Sequence, residues 1–306
     1  MPFMLHRRRG FTMIELIVVL SILAVLTTVA VQSLEPVGKQ ARIDGTQKTL
    51  AEFRAAVVGR ASSGDAQTSA ACFVADMGRL PTSVDELFFN VNNVPEFQAG
   101  SLAAENADVT IGRGWRGPYM RLPAGATQLR DGWGNLFAYD VSNGLAMESR
   151  GDDATDDLVR APIDTYGVDV GFHLPATGSV DSYYGESITG VVLELVSGQW
   201  VAPTSNSGET IEVEVTLFTP DPTVLPDADG VAQTVQSPTT SPYRFTFSNP
   251  TSNLTIGLRV VKATLKRTTT TTEMDGSTTS TTAEKKGIAT VVVRPGATHV
   301  VDLYVQ

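Results

Sequence analysis

The chain has 306 residues, of which 42% are hydrophobic, with one cysteine and a formal net charge of −10. That length leaves room for two soluble bodies beyond an anchor. The acidity argues against broad binding to phosphate backbones, so no nucleic-acid partner is expected, and a single thiol excludes an intramolecular disulfide.

Residues 1–10 form a basic leader with Arg7, Arg8 and Arg9, and an apolar run of 24 residues, 11–34, follows it. As a helix that run would be about 36 Å long, enough to cross a hydrocarbon core of roughly 30 Å with some tilt. Ser21, Thr27 and Thr28 can return their hydroxyls to carbonyls one turn back. The arginines precede the run, which keeps the amino end cytoplasmic and exports the rest. Glu15 sits inside this segment, where a carboxylate costs on the order of 2.5–3.5 kcal/mol. A cleaved signal peptide, with Thr28, Val29 and Ala30 as its small-residue site, and a plain single-pass anchor both leave Glu15 unexplained.

The string R-G-F-T-M-I-E-L, residues 9–16, resembles the cleavage and methylation signal of type IV pilins and type II secretion pseudopilins. The resemblance implies cleavage between Gly10 and Phe11, N-methylation of Phe11, and assembly through Phe11 and Glu15. The implied partners are a prepilin peptidase/methylase, other pilin or pseudopilin subunits, and an inner-membrane assembly platform with its ATPase. The implied location is the bacterial inner membrane, single-pass, with the later domains periplasmic or extracellular, and then a filament. In a bundle of such helices the Glu15 carboxylate can face the α-amino group of Phe11 on a neighbour. A wrong stagger leaves a charge buried alone, which is the costly case. Repetition of one contact that does not close gives an open helical filament.

Pro36 and Gly38 are expected to interrupt the helix. It resumes over 40–61, where Ile43, Leu50, Phe53, Val57 and Val58 recur at helical spacing and Lys48, Glu52 and Arg60 take other faces. A second helical piece is expected over 67–77, with Cys72 buried, Gly78 ending the helix, and Pro81 forbidding its continuation. Thr82 or Ser83 would cap a short helix holding Asp85, Glu86 and Leu87. The segment D-M-G-R-L-P-T, 76–82, resembles the end of the long helix in the pseudopilin G family. R-D-G-W-G-N-L-F-A-Y-D, 130–140, resembles that family's D-P-W-G-N strand entry, with Gly132 in place of the proline. Trp133 is expected to anchor the sheet edge in the core, with Leu136, Ala138 and Val141 following on alternate or bulged positions.

Asp152, Asp153, Asp156 and Asp157 cluster in one short loop. It resembles the calcium-binding loop of the major pseudopilin, although it is shorter and lacks that family's Asp-Gly pair. The resemblance implies Ca2+ on these four carboxylates, with the carbonyl of Ser149 or Arg150 as a further ligand. The residues alone favour a solvated acidic loop with Asx turns over a calcium site.

Past about residue 162, charge thins and alternating runs appear at 188–196, 210–218, 243–247, 254–265, 288–294 and 299–305. Ile211, Val213, Val215 and Leu217 share one face, and Glu212, Glu214 and Thr216 the other, as in a half-buried antiparallel strand. The spacing reads as a β-sandwich, and its strand order is similar to carboxypeptidase-regulatory-like (transthyretin-like) modules. The threonine-rich segment 267–286, with Asp275 and Gly276 at its middle, is expected to form a long hairpin; a glycosylated loop is the alternative. His173 and His299 have no sequence-local nucleophile or metal partner, and no enzymatic activity is expected.

The expected class is α+β: a long N-terminal transmembrane helix packed on a small antiparallel sheet, pilin-like, followed by an all-β sandwich. The expected division is leader 1–10, transmembrane and amphipathic helix 11–64, pilin-like globular domain 65–162, linker 163–187 and β-sandwich 188–306. The expected function is a structural prepilin-like subunit of a type II secretion pseudopilus or type IV pilus. The alternative is a minor or tip pilin, or a displayed adhesin whose β-sandwich binds a carbohydrate or a protein.

Overall fold

A computed structural model describes residues 12–59, 72–91, 93–102, 106–142, 144–151, 170–175, 183–221, 231–249, 251–252 and 254–306. Helix α1, Met13–Val58, opens at Thr12, whose side chain accepts the Glu15 N–H, and closes at Gly59, whose N–H reaches the Ala55 carbonyl. Contrary to the expected interruption, Pro36 lies inside this one helix. An interior proline loses one hydrogen bond and costs about 3 kcal/mol. The long helical segments on both sides carry the helix across it.

The two halves of α1 have different surroundings. From Met13 to Leu26 the large apolar side chains are exposed. Further along, Ile43, Thr46, Leu50, Phe53, Ala56 and Val57 are buried at helical spacing. Phe53 meets Tyr139 and Phe172 with ring centroids 6.1 and 5.9 Å away. Those rings belong to an antiparallel sheet that continues the body below.

Helix α2, Phe73–Met77, is wholly buried and ends at Gly78 in the left-handed region, φ +67°; residues 67–71 of the expected helix lie outside the described residues. A 3-10 turn follows at Val84–Leu87. Neither Thr82 nor Ser83 caps it through its hydroxyl. Instead Glu86 reaches back and accepts from the Thr82 N–H and hydroxyl, at 3.2 and 2.6 Å.

Strands β1, Gln98–Ser101, and β2, Thr110–Arg113, pair antiparallel. Strands β3, Ala138–Asp140, β4, Gly144–Ser149, and β5, Val170–Pro175, form the sheet on α1, in the order β3-β4-β5. β5 falls in the interval 163–187 expected as linker, so part of that interval belongs to the sheet. The expected parity of the strand entry is reversed. Leu136 and Val141 are exposed, whereas Phe137 and Tyr139 pack on the core. Trp133 is half-buried, and the tryptophan packed on the core is Trp115.

The remaining strands are β6, Ser187–Val196; β7, Gln199–Val201; β8, Glu209–Pro220; β9, Val231–Gln236; β10, Arg244–Ser248; β11, Gly257–Thr272; β12, Thr278–Val293; β13, Thr298–Val300; and β14, Leu303–Val305. One sheet runs β12-β11-β8-β9; the other centres on β6, with β7, β10, β13 and β14 paired to it. Their inner faces share a core that includes Ile188, Val192, Val215, Phe247, Val261 and Val305. This is the expected sandwich, with expected strand 299–305 split in two at residues 301–302.

The expected hairpin is also present. β11 and β12 pair without a break from Gly257↔Val293 to Thr272↔Thr278. The ribbon continues past Thr269↔Glu209, the last pair that β11 makes with β8. At its foot Arg267 bridges Glu194 and Glu209, both at 2.7 Å, and Lys285 meets Glu194 at 3.0 Å.

The sandwich is joined to the body formed by α1, α2 and the β3-β4-β5 sheet by a packed seam. Leu102, Val109 and Ile111 pack with Phe218, Val231 and Val260. Along β8 burial alternates as far as Val215 and is then continuous through Pro220, because the body covers the outer face there. Lys262 reaches Asp108 at 2.8 Å. The guanidinium of Arg259, fully buried, donates to the carbonyls of Ala75, Leu258 and Ile256 and to the Thr255 hydroxyl.

Candidate functional sites at the amino-terminal helix and the acidic loop

Gly10 and Phe11 lie outside the described residues. Glu15 is placed in the first turn of α1 and is exposed. There its negative charge faces the positive end of the helix dipole. Around it Met13, Ile14, Leu16 and Ile17 are all exposed. Between Thr12 and Thr28 the carboxylate is therefore the charged element of a largely apolar surface. The hydroxyls of Ser21, Thr27 and Thr28 donate to the carbonyls of Val18, Leu23 and Ala24 at 2.8, 2.7 and 2.9 Å, as the sequence implies. Among the described residues no helix is long and apolar enough to cross a membrane.

Asp152, Asp153, Asp156 and Asp157 also lie outside the described residues. The root of their loop is described, and sequence reasoning missed its organisation. Asp131, buried, accepts the N–H groups of Trp133 and Asn135 at Oδ1, at 3.0 and 2.7 Å, and the Ser149 hydroxyl at Oδ2, at 2.7 Å. Asn135 Nδ2 donates to the Gly151 carbonyl at 2.8 Å. The root thus ties the 131–135 turn to the end of β4 through bonds internal to the chain. Asp131 Oδ1 is taken by the turn and Oδ2 by Ser149, and among the described residues no group of His, Cys, Asp or Glu could hold a metal. The remaining signal for calcium is the spacing of the four aspartates.

The same turn explains Gly132. Its N–H donates to the Thr46 hydroxyl at 2.9 Å, and an added Cβ would lie 2.3 Å from the Arg42 carbonyl oxygen. Helix α1 passes too close for a proline ring.

A second polar lock holds the D-M-G-R-L-P-T segment. Glu86, buried, pairs with Arg79 at 2.7 Å, and these bonds with Thr82 hold its carboxyl below the ordinary range against the cost of burial. Trp115 Nε1 donates to the Glu86 carbonyl at 3.0 Å, and the Tyr139 hydroxyl donates to the Pro81 carbonyl. The one carboxylate of α2, Asp76, meets Arg116 at 3.1 Å and the Tyr119 hydroxyl at 3.2 Å. Burial pushes its pKa up to about 6, opposed by Arg116, the Tyr119 hydroxyl and Arg259. In the unfolded chain Asp76 releases its proton near pH 3.8. The folded state therefore holds that proton longer, and stability falls as pH rises from about 4 to about 6. Asp76→Asn, which keeps a partner for Tyr119, is expected to remove that decline and to be more stable at neutral pH by about 1–2 kcal/mol. Urea unfolding at half-unit pH intervals would check both.

Cys72 is fully buried, as expected, and burial pushes its thiol up to about 11. His299 Nε2 accepts the Arg294 N–H at 3.1 Å, and burial together with the Arg294 charge lowers its pKa. Both residues have structural surroundings.

Residues 5–31 match the family model described as the prokaryotic N-terminal methylation motif. No curated protein matches the chain, and no solved structure does.

Proposed function

We propose that the chain is a prepilin-like structural subunit without enzymatic activity, cleaved after Gly10, methylated at Phe11, and assembled through its N-terminal helix. The methylation motif over residues 5–31 carries this reading. It overlaps the start of α1, which presents exposed apolar side chains from Met13 to Leu26 and packs on the globular body from Ile43 to Val57. On this reading the apolar run 11–34 serves as membrane anchor and then as filament core. The reading places the chain in the inner membrane by one span and then in a type II secretion pseudopilus or type IV pilus. Its partners would be a prepilin peptidase/methylase, sister subunits, and an assembly platform with its ATPase. The pseudopilin G resemblance of 76–82 and 130–140 favours the secretion pseudopilus. A sandwich fixed to the body enlarges each subunit, and this favours a minor or tip position over the bulk of a homopolymer.

Mass spectrometry of the mature amino terminus tests the reading. A chain beginning at N-methylated Phe11 is expected. An intact Met1, or a new end near Val31, would reject it. Calcium on Asp152, Asp153, Asp156 and Asp157 is a subsidiary proposal resting on their spacing. Calorimetric titration of the full chain in detergent is expected to give heat that vanishes when the four are replaced by asparagine. Absence of heat with the wild-type chain retires calcium and leaves the prepilin reading intact.

A further inference from the structure

The seam between the sandwich and the body brings together three groups whose chemistry goes beyond packing. Val261, Ala263 and Leu265 of β11 face the sandwich core, so alternation turns Val260 and Lys262 toward the body. Lys262 lies on an inner strand, opposite Thr216 on β8 and Ile288 on β12, and its backbone is held from both sides. Its side chain is only 6% exposed. The Nζ donates to Asp108 Oδ1 at 2.8 Å and to Asn106 Oδ1 at 3.2 Å. Both acceptors belong to one turn, in which the Val109 N–H donates to the Asn106 carbonyl at 2.9 Å. Val109 and Val260 then enter the apolar cluster of the seam.

A buried amine touching a carboxylate and a carboxamide is a reactive set. The amine is a nucleophile once it gives up a proton, and Asp108 is in contact to take it. That transfer cancels two charges, and apolar surroundings, which penalise charge, favour it relative to water. The electrophile, Asn106 Cγ, is one bond from an oxygen that Nζ already touches, near the separation of about 3–3.5 Å that reacting atoms need. We infer that Lys262 and Asn106 join spontaneously through an isopeptide bond, with Asp108 as the base. Nζ gives one proton to Asp108 and attacks Cγ. The Cγ–Nδ2 bond breaks, a second Nζ proton passes to Nδ2, and ammonia leaves, taking the Asp108 proton as ammonium. No oxidant or cofactor is consumed, and Asp108 ends as the carboxylate it was. Its side chain is 35% exposed, which leaves the ammonia a way out. The ion pair is the resting state, so the bond forms slowly, and loss of ammonia makes it permanent.

With one cysteine the chain has no internal disulfide. The isopeptide bond ties the body to the sandwich across 156 residues of sequence instead. It forms within one folded chain and does not require assembly, so this inference and the prepilin reading can fail separately.

The test is peptide mass spectrometry of the full chain, purified in detergent and kept folded for several days at neutral pH. The wild type is expected to yield a branched peptide joining residues 106 and 262, lighter than its two parts by one ammonia. Asp108→Ala is expected to slow its formation by about a hundredfold. Asn106→Ala is expected to abolish it and to melt roughly 10 °C lower than the bonded wild type. The wild-type digest decides the matter even where a variant misfolds. Three results would each overturn the inference: two unjoined peptides, including a succinimide at Asn106 that has lost ammonia without a branch; a branch at Asp108 with loss of one water; or bonding of Asp108→Ala at the wild-type rate.

Discussion

Glu15→Ala is expected to leave the chain in the membrane fraction but to lower its incorporation into filaments by about a hundredfold. In lipid the lone carboxylate costs about 2.5–3.5 kcal/mol on insertion scales. Alanine removes that cost, so insertion does not suffer. Assembly loses more. The Phe11 α-amino group of each neighbour would then be taken from water without an opposite charge, and truncating one partner of a buried pair is strongly destabilising, by about 3–5 kcal/mol. Glu15→Gln keeps the length and hydrogen bonding of the side chain but not the charge, and should fall between the two. Thr12 supplies an internal control. Its hydroxyl accepts the Glu15 N–H at 3.3 Å, so Thr12→Ala removes a helix cap worth about 1 kcal/mol and leaves the carboxylate in place. Sheared filaments quantified against total membrane protein give the readout. Normal incorporation of Glu15→Ala would remove the electrostatic account of Glu15.

Much of this architecture can be read from local chemistry. The methylation signal is a contiguous string, so no tertiary knowledge is needed to find it. The parity of Ile211, Val213, Val215 and Leu217 fixes the inner face of β8. Asp275 and Gly276 mark the turn of the ribbon, where the Asp275 carboxylate accepts the Ser277 N–H at 2.8 Å. The errors arise where burial is decided by something distant. Around Leu136, Phe137, Ala138 and Tyr139 both parities are apolar, so alternation could not choose a face; the approach of Phe53 from α1 chose it. Pro36 looks like a breaker within its own window, and the length of helix on either side is what carries α1 through it. Arg259 looks like a solvent-facing residue of a strand. It is buried because α2 lies across the end of β11 and offers the Ala75 carbonyl. The Asp131 root was missed because Ser149 was read only for its carbonyl, and nothing local shows that its hydroxyl meets a carboxylate 18 residues earlier.

That seam between α2 and the sandwich is the place where a single methyl group should do most damage. Gly78→Ala is expected to lower stability by about 2–5 kcal/mol. Two costs combine. Gly78 sits at φ +67°, where an L side chain costs about 1–2 kcal/mol. Its Cβ would also lie 1.8 Å from the Pro220 carbonyl oxygen. Pro220 is held by its pairing with Val231, so the obstacle is backbone fixed in a sheet rather than the end of a flexible side chain. Relief requires β8 to move off α2. That motion would part Phe218 and Val260 from Ile111, and would strain the Lys262–Asp108 pair and the bond from Arg259 to Ala75. Overpacking of this kind adds about 1–3 kcal/mol to the conformational term. Gly125→Ala separates the two contributions. Gly125 has φ +80° with nothing within 4 Å of a built Cβ, so it carries the backbone cost alone. At about 2–4 °C per kcal/mol for chains of this size, Gly78→Ala should melt roughly 10 °C lower than the wild type and Gly125→Ala only a few degrees lower. Because the seam joins both bodies, far-ultraviolet circular dichroism and the fluorescence of Trp115, Trp133 and Trp200 should report one shifted transition for Gly78→Ala. Equal melting of the two variants would mean that α2 and β8 are not in contact in solution.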